Sequence, residues 1–188
     1  MTSLPPTIII FDTEFTAWAG SQERDFSGPN EYRELVEIGA IKIDTRTFNE
    51  LETLVLYIKP VKNPLLSDYF IALTKITQNT IDQKGVSCRR ALKKFRKFIG
   101  NNHCYSYGND LDIIKENCQL NNAPYFFDDL MFHNICDYFR ERGIKTENYH
   151  SGNITEAFGV ASRWTDHDAL NDCRDLVDGL RLTHISKH

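Results

Sequence analysis

The chain has 188 residues, with 22 Lys and Arg against 26 Asp and Glu and 41% hydrophobic residues, enough apolar chain to bury a sizeable core in one domain. A formal charge of −4 excludes a general coat for polyanions, which needs a positive field over its whole surface. Five cysteines, with no CxxC pair and no close Cys/His spacing, exclude a disulfide framework and a structural zinc site, so a reduced, cytoplasmic chain is expected.

The N-terminal Met-Thr-Ser-Leu-Pro-Pro has no basic region, and the apolar run after it is broken by Asp12 too early to signal or to span, so no membrane contact is expected. Thr7 to Phe11 is a continuous β-branched run of the kind that fills a central strand, expected to end at Asp12. Residues 19–32, with two Gly, one Pro and mixed charge, read as a loop. Glu34 to Asp44 and Leu51 to Lys59 read as two strands of an antiparallel meander, closed by Pro60. From the N-cap candidate Ser87, apolar residues recur at helical spacing until Gly100. His103 to Tyr107 reads as a fourth strand, turned by Gly108-Asn109 into a helix. Phe126 to Asp137 reads as a short fifth strand running into a helix that ends before Gly143. Ala169, Cys173, Leu176, Val177 and Leu180 form the stripe of a last helix from Asp168 to about Leu182. Three strands followed by alternating helix and strand predict an α/β fold, a mixed sheet with helices on its faces, over a single domain 1–188 with its core at about 7–182.

Asp12 and Glu14 stand at i and i+2 beyond a buried strand, so if the extended chain continues, both carboxylates point to one side. Ligands of open α/β sheets sit beyond the carboxyl ends of strands, where this pair falls. At the other end, Asp172 borders the apolar stripe of the last helix, a costly place for a carboxylate unless it is paired or binds a cation.

Three segments, Ile-Phe-Asp12-Thr13-Glu14-Phe15-Thr16, Tyr-Gly-Asn-Asp110 and His167-Asp-Ala-Leu-Asn-Asp172, resemble the ordered motifs of the DnaQ-like 3′ to 5′ exonucleases. The closing His-x4-Asp marks the DEDDh type. The stretch from Leu66 to Gln78 is similar to that of the Eri-1-like and KapD-like subgroup, trimming enzymes whose eukaryotic members act on small RNAs and on histone messenger and ribosomal RNA ends. The resemblance spans about residues 7–182 and implies an RNase H-like fold, a mixed five-stranded sheet with helices on both faces. The middle motif offers two acids. Counting from Asp110 places Ile113, Ile114 and Cys118 at the apolar positions that follow the family's metal ligand, whereas counting from Asp112 places Lys115 and Glu116 there; the usual spacing from the preceding Gly or Asn fits Asp112 better. Asp110 is the ligand carried over. Lys75 stands where the subgroup has Gly: if the turn requires positive φ it would strain it, or it places a cation near the substrate, or it is an exposed Lys in a tolerant turn.

The resemblance implies that Asp12, Glu14, Asp110 and Asp172 hold two divalent cations, Mg²⁺ or Mn²⁺, ~3.5–4 Å apart, which hard oxygen ligands suit. His167 would be the general base, and the other five histidines read as surface residues. Thr13, Phe15, Leu73 and Thr74 would bind the terminal nucleotide, Phe15 by stacking unless it belongs to the core. Trp18 and Trp164 read as packing residues. The expected partners are 3′ ends of RNA or single-stranded nucleic acid, hydrolysed to nucleoside 5′-monophosphates; the rival is a catalytically silent binding or regulatory protein of the same fold. Arg89, Arg90, Lys93, Lys94, Arg96 and Lys97 put six positive charges on one helix, either as its solvated face or, turned to the site side, as a guide for a longer RNA.

Overall fold

The computed structural model describes residues 3–185, and side chains as far as residue 184. Its centre is strand β1 (Thr7–Phe15), whose β-branched start favours the pleat and whose Ile8, Ile9, Ile10 and Phe11 are wholly shielded from water. β2 (Leu35–Asp44) and β3 (Glu50–Tyr57) follow as antiparallel neighbours, while β4 (His103–Ser106) and β5 (Phe132–Asn134) add in parallel on the other side. The order β3-β2-β1-β4-β5 is the mixed five-stranded sheet expected from the element pattern.

Among the described residues six α-helices cover the sheet: α1 (Asp68–Thr74), α2 (Gln78–Lys84), α3 (Cys88–Ile99), α4 (Asp110–Leu120), α5 (Ile135–Arg140) and α6 (Ala169–Ile185). Because successive side chains of β1 point to opposite faces, Ile9 and Phe11 join one core with Phe95 of α3 and Ile114 of α4, and Ile8 and Ile10 join another with Phe139 of α5 and Leu176 of α6. α3 begins after Ser87 and ends at Gly100, whose φ of 56° only glycine adopts without cost.

One boundary differs from expectation. β1 does not stop at Asp12 but continues to Phe15, because β2 keeps pairing with it through Asp12↔Gly39, Thr13↔Ile38 and Glu14↔Glu37. The backbone ladder, indifferent to side-chain polarity, holds the acids in extended chain. The segment from Leu66 to Gln78 holds α1 and leads into α2, the two helices capped by the Ser67 hydroxyl on the Phe70 N–H and the Thr77 hydroxyl on the Thr80 N–H. Between them Lys75 closes α1 at φ 62°, and its ammonium turns back onto the Ala72 carbonyl at 2.5 Å. Replacing Lys75 by Gly is expected to raise stability by about 0.5–1 kcal/mol in a denaturant melt, since the left-handed strain disappears.

α6 lies directly on the sheet at Gly39. A Cβ there would sit 2.5 Å from the backbone of Ala169 and Leu170, so a side chain at this position and the observed seat of α6 exclude each other. Gly39→Ala is expected to cost about 1–3 kcal/mol in thermal or chemical unfolding and to lower activity more than stability alone explains, because it lifts the first turn of α6 off β1.

Candidate active site

The extended end of β1 puts Asp12 and Glu14 on the face toward α6, and Asp172, in the first turn of α6, comes down beside them. Asp12, Glu14 and Asp172 each offer a carboxylate oxygen within 4.8 Å of the other two, and among the described residues no other set of three potential ligands converges in this way. Asp110 opens α4 and joins them from the other helix layer, held by the Thr13 hydroxyl, which donates to Oδ1 at 2.5 Å, and by Ser106. All four are buried. They line a cleft of about 520 Å³ together with Phe15, Leu73, Tyr69 and His167. A larger hollow of about 700 Å³ adjoins it through Asp25, Phe26 and Arg33 but contains none of the four acids.

Asp112 is exposed beside Lys115 and stands outside the cleft, so helix phase locates the inward acid and the spacing count does not. Thr13 serves the site through its side chain, as the donor to Asp110. Phe15 is half-buried, edge-on to Phe26 at 5.7 Å, and belongs both to the cleft wall and to the border of the core. Thr74 does not line the cleft: its buried hydroxyl donates to the Phe70 carbonyl and accepts from the Ile76 N–H, closing the turn that Lys75 ends. His167, at φ 60°, enters α6 through Asp168, whose carboxylate accepts from the Asn171 N–H.

Divalent cations fit this donor set. It is all oxygen, and Asp172 Oδ1 is buried without a hydrogen-bond partner while Oδ2 accepts from the Ser151 hydroxyl at 3.2 Å. Gly152 leaves room beside it, since a Cβ there would lie 2.7 Å from Asp172 Oδ1.

Residues 9–179 match the model of the exonuclease family RNase_T. The chain belongs to this exonuclease family. A probable 3′-5′ exonuclease, KapD, of Bacillus subtilis is 29% identical over 185 residues, covering 96% of this chain and 86% of that protein. Human 3′-5′ exoribonuclease 1 is 29% identical over 128 residues, 63% of this chain and 35% of its own. Among solved structures, a 3′-exonuclease that recognises the 3′ end of the histone mRNA stem-loop has a TM-score of 0.80 at 23% identity, covering 98% of this chain and 84% of that one. The nuclease domain of 3′hExo, a DEDDh family member bound to rAMP, has a TM-score of 0.75 at 22% identity, covering 96% and 92%. The resemblance to DnaQ-like 3′ to 5′ exonucleases and their RNase H-like fold therefore holds.

Several residues of the exonuclease site are not evident from the sequence motifs. Ser151 and Gly152 open a 3-10 segment (Ser151–Phe158) that Asp175 of α6 pins by accepting from the Thr155 N–H and hydroxyl at 3.1 and 2.9 Å. Glu37 faces Glu14 across the ladder and accepts from the first N–H of α6, that of Ala169, at 3.3 Å. His150 stands at the start of the 3-10 segment, where its Nδ1 accepts from the Gly152 N–H at 3.3 Å, and its ring also stacks on His167 at 5.8 Å, with Asp166 3.5 Å from a nitrogen of each ring. Half-buried His103 and His133 stack on one another, His184 is exposed, and His188 lies outside the described residues. Trp164 packs as expected, its indole N–H on Asp178 at 2.9 Å; Trp18 is half-buried. For Glu37, an acid inside an apolar strand is a usable signal; for Ser151 and His150 there is none.

Burial raises every carboxyl in the cluster, and neighbouring carboxylates add to it at Asp12, Glu14, Asp172 and Glu37. Asp12 and Glu14 are pushed well above the usual range, Asp172 to about 8, Glu37 to about 7 and Asp110, eased by the Thr13 and Ser106 donors, to about 6. Burial lowers His167, keeping its imidazole neutral. A carboxyl with a raised pKa binds its proton more tightly folded than unfolded, so it stabilises the fold at low pH and that stabilisation disappears as pH rises from about 4 to about 8. The metal-free exonuclease is expected to melt at a lower temperature at pH 8 than at pH 5.5. Mg²⁺ or Mn²⁺ at ten times its dissociation constant should restore about 3–6 °C at pH 8 and less at pH 5.5, read by differential scanning calorimetry.

Proposed function

We propose that this exonuclease removes nucleotides one at a time from the 3′ ends of RNA or single-stranded nucleic acid, releasing nucleoside 5′-monophosphates. The observation that carries the reading is the convergence of Asp12, Glu14 and Asp172 around an unpartnered buried oxygen, with Asp110 beside them. Asp12, Glu14, Asp110 and Asp172 would hold two divalent cations, Mg²⁺ or Mn²⁺. Bound there, the cations neutralise charge on the scissile phosphate and make water more acidic.

The chain's own residues supply the rest. His167, neutral at the cleft mouth, takes the proton of the attacking water and passes it to solvent or to the leaving 3′ oxygen. Asp166 orients the two stacked imidazoles from one side. Phe15, Leu73 and the exposed ring of Tyr69 offer apolar surface to the terminal base, a sequence-tolerant contact that suits trimming. Thr74 acts through the turn that presents Leu73. The names of the human exoribonuclease and of the stem-loop-recognising neighbour support RNA as the substrate class. The five buried free thiols suit a reducing cytoplasm, and no helix among the described residues is long and apolar enough to cross a membrane.

With an oligoribonucleotide labelled at its 5′ end and Mg²⁺ or Mn²⁺, a ladder shortening from the 3′ end is expected, abolished by EDTA. Asp12→Ala should slow it by roughly 10³-fold or more, and His167→Ala by about 10²–10⁴-fold. Asp110→Asn should be as damaging as Asp12→Ala while Asp112→Asn stays near wild type; the reverse order would move the middle ligand to Asp112. Retained RNA binding with no product from any RNA or DNA would favour the silent protein.

A further inference from the structure

We propose that the outer face of α3 is a second contact for the substrate strand, binding its phosphate backbone upstream of the 3′ end; this rests on the cleft being the 3′-end site. Cys88, Ala91, Leu92, Phe95, Phe98 and Ile99 turn inward to the core, which leaves Arg89, Arg90, Lys93, Lys94 and Lys97 exposed on one side. Among the described residues none of these five takes part in an ion pair, although the chain carries an excess of acid and Arg24, Arg33, Lys42 and Lys115 all find partners. Arg96, the sixth cation, donates to the Gly100 carbonyl at 2.7 Å. Glu52 of β3, the strand α3 packs against, is already held by Lys42 at 3.2 Å.

This arrangement is unfavourable to the helix itself. Residues 89 and 93, 90 and 94, and 93 and 97 are like-charged neighbours one turn apart, and Arg89 and Arg90 stand in a first turn that has no acid, where the helix dipole repels cations. A polyanion laid along the face relieves both strains. The face is also placed for it. Cys88 Sγ lies 3.8 Å from the Asn117 carbonyl, and Asn117 is about 10 Å of helical rise along α4 from Asp110 in the cleft. α3 therefore starts a short way to the side of the four acids and leads away over about 18 Å, a path that meets several successive phosphates. Of the acids on α4 outside the cleft, Glu116 is paired with Arg33 and Asp112 with Lys115.

The test separates binding from cleavage. The full chain carrying Asp12→Ala, in EDTA, is titrated against 5′-fluorescein oligouridylates of about 4 and about 24 nucleotides at several salt concentrations, with fluorescence anisotropy as readout. Adding Arg89→Gln, Arg90→Gln, Lys93→Gln and Lys94→Gln together should weaken the long RNA about tenfold at low salt and reduce the slope of log affinity against log salt by about 2–3, at ~0.7 for each phosphate no longer neutralised. The short RNA should bind both proteins alike, and these solvent-facing changes should leave the melting temperature within a few degrees. Unchanged affinity and slope for the long RNA overturn the proposal, as does an equal loss for the short one, which would mark a diffuse field and no contact. Binding of α3 to phosphatidylserine vesicles with no effect on RNA overturns it in favour of a membrane surface. The cleft reading fails by a different result, the absence of shortened product from wild-type protein with Mg²⁺ and Mn²⁺.

Discussion

Four carboxylates pressed together out of water are the constraint on which the rest of this structure depends. Left to themselves they would separate or take up protons, and the upward shifts across the cluster express burial first and, for Asp12 and Glu14, the repulsion of the neighbouring acids after it. The fold resists separation from three directions. The ladder between β1 and β2 fixes Asp12 and Glu14, the bare backbone of Gly39 admits α6, and the Asp175 anchor on Thr155 brings Ser151 to Asp172. On the other layer, buried Asn117 bonds the Leu35 N–H and the Arg33 and Ile113 carbonyls, tying α4 to the start of β2 and so setting where Asp110 points. Helix dipoles assist, because Asp110 and Asp172 stand in first turns, where the field favours negative charge.

The same logic explains where the chain accepts local cost. His167 sits at φ 60°, a left-handed conformation that a β-carbon disfavours, at the point where the chain must turn sharply into α6 and present an imidazole at the cleft mouth. A glycine would relax the turn and remove the imidazole proposed as the base. Lys75 takes a similar conformation outside the cleft lining, and there the side chain folds back onto its own helix. Strain at position 167 places a side chain in the cleft; strain at position 75 does not.

What is legible in the sequence follows the distinction between local and distant causes. The β-branched run of Ile8 to Ile10, the helical spacing of Leu92, Phe95 and Ile99 and the stripe of α6 depend on neighbours within a turn or two, and the pattern alone locates them. So it does the phase of α4, which turns Asp110 inward and Asp112 to solvent. The end of β1 is not legible because its cause lies in β2: side-chain polarity changes at Asp12, but pairing partners continue for three more residues. Ser151 and His150 are invisible for the same reason, since an ordinary polar loop becomes part of the site only through a bond to Asp175 twenty residues on. Thr74 shows the converse failure, a position carried over from a motif whose hydroxyl is consumed by its own turn.

A protein of charge −4 that handles a polyanion looks contradictory only if charge is averaged over the surface. Its acids are concentrated where oxygen ligands for cations are needed, and unpaired cations are concentrated on α3, so the field along a strand leaving the cleft changes sign with distance. The separation also bears on the silent-protein alternative. A binding module without chemistry could exchange one member of the cluster for its amide and lose most of the repulsion at almost no cost in shape. This chain keeps all four carboxylates, keeps Asp172 Oδ1 without a hydrogen-bond partner, and keeps a strained histidine beside them. An arrangement this unfavourable to folding is intelligible only with something positively charged to complete it, which makes hydrolysis the economical reading of the cleft.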